Sequence, residues 1–273
     1  MIHSRTVEVE GIPLHYLEAG EGPPVLLLHG WPTHAQLYRH ALPEIARNRR
    51  AIALDLPGFG ASGKPLGASY SFRFWDKILS GFLDAIGVGE VGLVVHDLGG
   101  PIGLHWAAGA PERITELVLL NTLVFPEMSW AVKVFVLSTA APGLRHLLSS
   151  RWGLGAAMRF GVSDKARITP AVAAMYQDPF PTRAARRALL KTGHALHPKG
   201  FETIAAALPR FTMPLRIIYG EDDRILPDVA KTMARVKTAL PHAEVTPIPG
   251  CGHFLQEDKP DEVAALLGAF FAR

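Results

Sequence analysis

The feature that most constrains the fold is a series of short, mainly apolar runs separated by segments with helical spacing. The runs lie at residues 25–28, 51–54, 91–95, 117–120 and 215–219. Such runs are typical of strands buried on both faces, as in a parallel sheet. The helical segments between them, such as 72–86 and 229–240, would form the crossovers. The sequence therefore predicts an α/β fold with a mostly parallel sheet and helices on both faces.

One long segment interrupts this alternation. Residues 125–210 contain several helical patterns, frequent prolines and no convincing strand. We predict that this segment is a helical cap and that residues 1–124 and 211–273 together form the core. The cap would cover the carboxyl ends of the strands, where open α/β sheets bind their ligands.

Composition and charge exclude several classes of function. The net charge of +3 over 273 residues is too small to suggest a nucleic-acid surface. Cys251 is the only cysteine, so no internal disulfide can form, and we interpret it as a small buried hydrophobe. The N-terminus lacks a signal-peptide pattern, and no apolar run is long enough for a membrane span. We expect a cytoplasmic monomer or homodimer that binds a small apolar substrate and water, without nucleic acid or membrane.

The most informative motif surrounds Asp97, which follows the apolar run at 91–95 and precedes Leu98 and two glycines. A residue between a buried strand and a helix is held in a sharp turn above the sheet edge. Nucleophilic serine occupies this place in the common Gly-x-Ser-x-Gly motif. A carboxylate is ionised at neutral pH and can attack a saturated carbon to form an alkyl ester. The alternative is an aspartate that only caps the following helix.

A second motif, His29-Gly30-Trp31-Pro32, follows the run at 25–28. Its glycine allows a turn in which the backbone N–H of Trp31 points towards Asp97. Together with the N–H of Leu98 it would form an oxyanion hole, with His29 in a supporting role. The alternative is an ordinary turn at the end of a strand.

Two later motifs supply a base and an acid. His253 follows Gly250-Cys251-Gly252 after the last predicted strand. It is the one histidine that gives the expected order along the chain, which is nucleophile, then acid, then base. The acid comes from the run of Glu221, Asp222 and Asp223. Spacing from the preceding glycine favours Asp223 over Asp222.

Two other patterns do not indicate a cofactor. The glycines at residues 58–63 match a dinucleotide-binding spacing, but they lead into Lys64-Pro65 and not into a helix. The histidines are scattered, without the spacing of metal ligands. We therefore expect neither a cofactor nor a metal.

With these motifs the chain resembles the α/β-hydrolases that use an aspartate nucleophile, namely epoxide hydrolases, haloalkane dehalogenases and fluoroacetate dehalogenases. The resemblance covers nearly the whole chain and rests on His29-Gly-Trp-Pro32, 55–60 (Asp-Leu-Pro-Gly-Phe-Gly), 96–100 (His-Asp-x-Gly-Gly), Gly220-x-x-Asp223 and Gly252-His253. It implies an eight-stranded sheet and a catalytic triad of Asp97, His253 and Asp223.

The motifs define less clearly which of these three classes of enzyme the chain resembles most. The His-Gly-Trp-Pro motif looks like that of many epoxide hydrolases. Haloalkane dehalogenases usually have tryptophan directly after the nucleophile, and fluoroacetate dehalogenases have arginine, whereas this chain has Leu98. Residues 176–181 resemble a cap segment of dehalogenases. Asn121 occupies the place of the acid in one dehalogenase subgroup, which supports an acid in the later loop.

The cap must also assist the leaving group. An epoxide oxygen needs a proton or hydrogen bond, which epoxide hydrolases supply from cap tyrosines. Tyr176 is the one cap tyrosine, with His194 or His197 as companions. A halide needs N–H donors, for which Trp31, Trp130 and Trp152 are candidates. The leading hypothesis is an epoxide hydrolase, and the alternative is a haloalkane dehalogenase. A carboxylester or lactone hydrolase and a non-catalytic receptor rank lower.

Overall fold

A computed structural model describes residues 1–273 and contains one eight-stranded sheet in the order β1-β2-β4-β3-β5-β6-β7-β8. The strands are β1 (His3–Val9), β2 (Ile12–Ala19), β3 (Pro24–Leu28), β4 (Arg50–Leu54), β5 (Val91–Asp97), β6 (Ile114–Thr122), β7 (Leu215–Gly220) and β8 (Glu244–Ile248). Only β2 runs antiparallel to its neighbours, β1 and β4. The predicted mostly parallel α/β fold is confirmed.

The sheet is accompanied by twelve α-helices. They are α1 (Ala41–Ile45), α2 (Phe72–Ala85), α3 (Gly99–Gly109), α4 (Trp130–Ala140), α5 (Leu144–Leu148), α6 (Arg151–Gly161), α7 (Pro170–Gln177), α8 (Arg183–Thr192), α9 (Pro198–Ala207), α10 (Val229–Ala239), α11 (Leu255–Asp258) and α12 (Pro260–Phe271). None of them is long and apolar enough to cross a bilayer.

One predicted helix is divided. Helical spacing predicts a continuous helix over residues 35–46, but the structure has a 3₁₀ turn at Ala35–Tyr38 followed by the short α1. Pro43 explains the break, because proline has no N–H to bond the carbonyl four residues earlier. In the first turn of α1 that missing N–H costs nothing.

Both faces of the sheet are buried, which explains the continuous apolar runs. Along β3, Leu26 and Leu28 belong to one core cluster, whereas Val25 and Leu27 belong to the cluster on the opposite face. Alternate side chains of a strand point to opposite faces, so a strand covered on both sides must be apolar throughout. The carboxyl ends of the parallel strands therefore carry the polar residues.

Helices α4 to α9 all lie between β6 and β7, and we call them the helical insertion. Side-chain oxygens cap four of these helices at Ser129, Ser150, Thr169 and Thr182, each accepting a hydrogen bond from a backbone N–H three residues later. These caps account for the short, separate helices. The division into core and cap at residues 125–210 stays a prediction.

Candidate active site

Asp97 lies where β5 ends, one residue before Leu98 and the start of α3 at Gly99. Its φ of 49° is in the left-handed region, which only a few non-glycine residues adopt, aspartate among them. The turn is held from below by Thr122, whose Oγ1 donates a hydrogen bond of 2.7 Å to the Asp97 carbonyl. A Cβ on Gly30 would lie only 2.2 Å from Asp97 Oδ1, so the neighbouring loop must be glycine to approach this closely.

Two backbone amides bind the Asp97 carboxylate. The Trp31 N–H donates to Oδ1 over 2.7 Å, and the Leu98 N–H also donates to this carboxylate. Burial raises the pKa of Asp97, but hydrogen bonding and the charge of His253 outweigh burial and leave the pKa below its usual value. Because Oδ1 is held by the amide of Trp31, Oδ2 is the oxygen that would be free to attack a substrate.

His253 is fully buried between two carboxylates. Its Nδ1 lies 2.8 Å from Asp223 Oδ2, and its Nε2 lies 3.2 Å from Asp97 Oδ2 without forming a well-aligned hydrogen bond. Burial lowers the pKa of His253, but the negative charges of Asp223 and Asp97 and the hydrogen bond to Asp223 overcome this effect and raise the pKa to about 10. In the resting protein the imidazole is therefore protonated.

This charge arrangement suits a two-step reaction. Attack by Asp97 on a substrate carbon would convert its carboxylate into a neutral ester. One of the two charges that raise the pKa of His253 would then be gone, so the pKa would fall towards neutrality. Alkylation itself would thus release the imidazole to act as a base on water.

Asn121 holds the acid in place, a role that the sequence did not reveal. It has φ of 27° at the end of β6, donates from Nδ2 to Asp223 Oδ2 over 2.7 Å and accepts from the Gly220 N–H over 2.8 Å. The other Asp223 oxygen accepts backbone N–H groups of residues 225 and 226. Asp222 is exposed and reaches only Ser163, at 3.4 Å.

Two buried side chains fix the loop that carries His253. Asp258 accepts backbone N–H bonds from Gly252 at 2.6 Å and from Ser163 at 2.7 Å, which ties this loop to the residues after α6. His96 Nε2 donates to the His253 carbonyl over 2.9 Å. Burial lowers the pKa of His96 to about 4, so it is a neutral donor.

His29 has the supporting place that the sequence suggests. Burial lowers its pKa to about 4, and its Nε2 accepts the Leu56 N–H over 3.1 Å. Its Nδ1 consequently carries the proton and donates to the Gly30 carbonyl over 2.9 Å. The imidazole thereby joins the loop before Trp31 to the loop after β4.

Asp97 and Leu98 open into a cavity of about 550 Å³ between the sheet and the helical insertion. Most lining residues are hydrophobic, including Trp31 and Trp130, and His194 is one of the polar residues in the lining. The Trp31 indole N–H is buried without a hydrogen-bond partner, whereas the Trp130 side chain is 69% exposed. His194 Nδ1 lies 3.3 Å from the hydroxyl of Thr139.

The structure contradicts the expected position of Tyr176. This residue is fully buried but does not line the cavity, and its hydroxyl donates to Glu257 Oε1 over 2.5 Å. Arg39 binds the same carboxylate, and His34 packs against the tyrosine ring. Helical spacing places Tyr176 on the inner face of α7, and that face packs on α11 and not on the substrate cavity. His197 also lies elsewhere, capping α9.

Tyr176→Phe is accordingly expected to change stability and not catalysis. The variant loses one hydrogen bond to a buried carboxylate, which contributes about 1.5–3 kcal/mol to the free energy of unfolding. Denaturant unfolding would measure this loss, and turnover should stay within twofold of the unmodified protein. A large fall in turnover without loss of stability would contradict the assignment.

No group of three or more His, Cys, Asp or Glu side chains is arranged to hold a metal ion.

Comparisons with known proteins identify the family of the chain. Residues 23–260 match the family model for the alpha/beta hydrolase fold. Haloalkane dehalogenase 2 of Mycobacterium tuberculosis is 30% identical over 262 residues, covering 93% of this chain and 90% of the relative. Cis-3-alkyl-4-alkyloxetan-2-one decarboxylase of Shewanella oneidensis is 32% identical over 279 residues, covering 95% and 85%.

Solved structures give the same result. Haloalkane dehalogenase DbeA from Bradyrhizobium elkani has a TM-score of 0.88 at 25% identity, covering 100% of this chain and 98% of that one. The epoxide hydrolase CorEH shares the fold, with a TM-score of 0.85 at 23% identity over 100% and 99% of the two chains. The chain therefore belongs to the α/β-hydrolase family, in the branch of haloalkane dehalogenases and epoxide hydrolases.

Proposed function

We propose that this hydrolase is a haloalkane dehalogenase that cleaves carbon–halogen bonds through an alkyl ester on Asp97. The main support for this proposal is the indole N–H of Trp31. It is buried, has no hydrogen-bond partner and belongs to a residue that lines the apolar cavity beside Asp97. A buried donor without a partner costs about 1–3 kcal/mol. A departing halide at this position would accept its hydrogen bond and remove that cost.

The leaving group decides between the two candidate reactions. Halide departs without a proton, so a neutral N–H donor in an apolar site is sufficient for it. An epoxide oxygen becomes an alkoxide that needs an acid, and Tyr176 is engaged with Glu257 outside the cavity. For this reason we rank the haloalkane dehalogenase hypothesis above the epoxide hydrolase hypothesis that the sequence favours. The 30% identity to a haloalkane dehalogenase supports the same choice.

In the proposed reaction Asp97 Oδ2 attacks the carbon that bears the halogen, and the C–halogen bond breaks as the C–O bond forms. Because the ester no longer raises the pKa of His253, the imidazole loses its extra proton, and the neutral ring then removes a proton from water as the oxygen of that water attacks the ester carbonyl. The amides of Trp31 and Leu98 stabilise the negative charge on Oδ1. Collapse of this intermediate breaks the bond between the alkyl oxygen and the carboxyl carbon, and the imidazolium of His253 gives its proton to the departing alkoxide. The alcohol leaves and the carboxylate of Asp97 is restored, with Asp223 orienting the imidazole throughout.

Epoxide hydrolysis remains the second candidate because one Brønsted acid, His194, lines the cavity. Its Nδ1 contacts the Thr139 hydroxyl, which itself donates to the Val136 carbonyl over 2.7 Å. The hydroxyl therefore accepts from Nδ1–H, and Nε2 is the nitrogen left to carry a proton to an alkoxide. Only the doubly protonated ring can do so.

Trp31→Phe tests the proposed function. With 1-bromobutane we expect single-turnover bromide release to fall by about tenfold or more, since loss of one useful hydrogen bond of about 1.4 kcal/mol corresponds to a factor of ten. The backbone N–H of residue 31 stays in place, so the oxyanion hole is retained. Trp152→Phe is the matched control, because that side chain lines the same cavity but is 71% exposed.

Styrene oxide is the comparison substrate. Diol formation in the unmodified protein without bromide release from any bromoalkane would overturn the dehalogenase proposal in favour of epoxide hydrolysis. His194→Gln would then be expected to abolish diol formation.

A further inference from the structure

A second concavity of about 800 Å³ adjoins the catalytic cavity, and we call it the basic groove. Its lining contains three cationic side chains, Arg159, Lys165 and Arg224, and no aspartate or glutamate. Trp152, Ala156, Phe160 and Arg224 border both the groove and the cavity that contains Asp97. The two spaces are therefore neighbours that share one wall, and Arg224 is the charged residue of that wall.

The cations of the basic groove lack carboxylate partners. Arg151 and Arg167 lie just outside the groove, and each forms an ion pair, with Asp178 and Asp164 respectively. Arg159 donates only to a backbone carbonyl, and no carboxylate lies within 4.0 Å of the cationic nitrogens of Arg224 or Lys165.

Arg159 lies in a segment without acidic residues, since none occurs between Glu127 and Asp164. Lys165 and Arg224 each have an acidic neighbour in the sequence, but Asp164 pairs with Arg167 and Asp223 pairs with His253, so neither neutralises the groove cations. Like charges that share a concave surface produce a positive potential, which attracts an anion to it.

The catalytic cavity has the complementary character. Its lining is mainly hydrophobic, and Arg224 and Asp97 are its only charged members. A cavity of this volume is sufficient for a small organic molecule. A ligand that satisfies both spaces must therefore have an apolar chain and one anionic end.

We infer that this enzyme acts on amphipathic carboxylates, with the alkyl chain in the apolar cavity, the reacting carbon at Asp97 and the carboxylate at Arg224 in the basic groove. The guanidinium of arginine binds a carboxylate through two parallel N–H bonds, which fixes the orientation of the chain as well as its affinity. The identity of the reacting bond rests on the proposed dehalogenase function, whereas binding of the anionic end does not.

Activity on a matched substrate pair tests the inference. The pair is 6-bromohexanoate and 6-bromohexanamide, which differ in charge but hardly in size. We expect kcat/KM to favour the carboxylate by about tenfold, the effect of one charge-assisted contact. Arg224→Gln should reduce the preference to within twofold of unity. Arg151→Gln, which removes a paired arginine outside the groove, should retain the full preference.

Binding of octanoate and octanamide separates this inference from the proposed function, because neither compound can react. Quenching of tryptophan fluorescence reports occupancy, since several tryptophans line the cavity. Tighter binding of octanoate that is lost in Arg224→Gln supports the inference even if no bromide is ever released. Equal binding of the two compounds, or octanoate binding unchanged by Arg224→Gln, overturns it even if bromoalkanes are hydrolysed.

Discussion

His253→Gln is expected to stop the enzyme after one turnover, with the alkyl group of the substrate attached to Asp97. The first step needs only the carboxylate of Asp97, which is held by the amides of Trp31 and Leu98 and is ionised without help from a base. The second step needs a group that removes a proton from water, and glutamine cannot do so. We expect steady-state turnover to fall by roughly 10⁴-fold or more, since loss of the triad histidine in a serine protease costs about 10⁶-fold.

Intact-protein mass spectrometry after mixing with 1-bromobutane would show the adduct, and peptide mapping would place it. Single-turnover bromide release should remain within about tenfold of the unmodified protein, because the alkylation step survives. His105→Gln is a suitable control, since His105 is on α3 but contacts Asp76 on the side away from the cavity. Sustained turnover by His253→Gln, or an adduct on a residue other than Asp97, would contradict the mechanism.

The triad geometry follows from features that are local in the sequence. Asp97 is the last residue of β5, and Asp223 and His253 lie three and five residues after the ends of β7 and β8. The carboxyl ends of parallel strands meet at one edge of the sheet. Three separate motifs therefore had to converge at one place. The glycines beside them indicate the close approach of backbone, as at Gly30.

The contacts of the helical insertion could not be predicted in this way. Helical spacing indicates that Tyr176 faces inward, but not which part of the molecule its helix packs against. Its partner, Glu257, is 81 residues further along the chain. Likewise Asn121 reaches Asp223 across 102 residues, and no local pattern reports that an amide will hold an acid. Such contacts depend on tertiary packing, which periodicity does not encode.

Asp223→Asn is the second variant for which we expect a large loss of turnover. Replacing Asp223 with asparagine removes the charge that contributes most to raising the pKa of His253 against burial, and it removes the acceptor that fixes the tautomer of the ring. The amide nitrogen can also turn towards His253 Nδ1 and favour the wrong tautomer. Turnover of Asp223→Asn should therefore fall by roughly 10³-fold or more, by analogy with the loss of the acid in other triads.

Asp222→Asn is the matched control for this variant. It makes the same chemical change one residue earlier, at an exposed side chain 3.4 Å from the Ser163 hydroxyl, and turnover should stay within twofold. The two variants would be compared by their steady-state rates of bromide release at several pH values. The two neighbouring carboxylates raise the pKa of His253 to about 10, so loss of the Asp223 charge must lower this pKa. Titration of the imidazole ring by NMR should therefore give a lower pKa in Asp223→Asn than in the unmodified protein. Equal losses in the two variants, or an unchanged His253 titration in Asp223→Asn, would contradict the role assigned to Asp223.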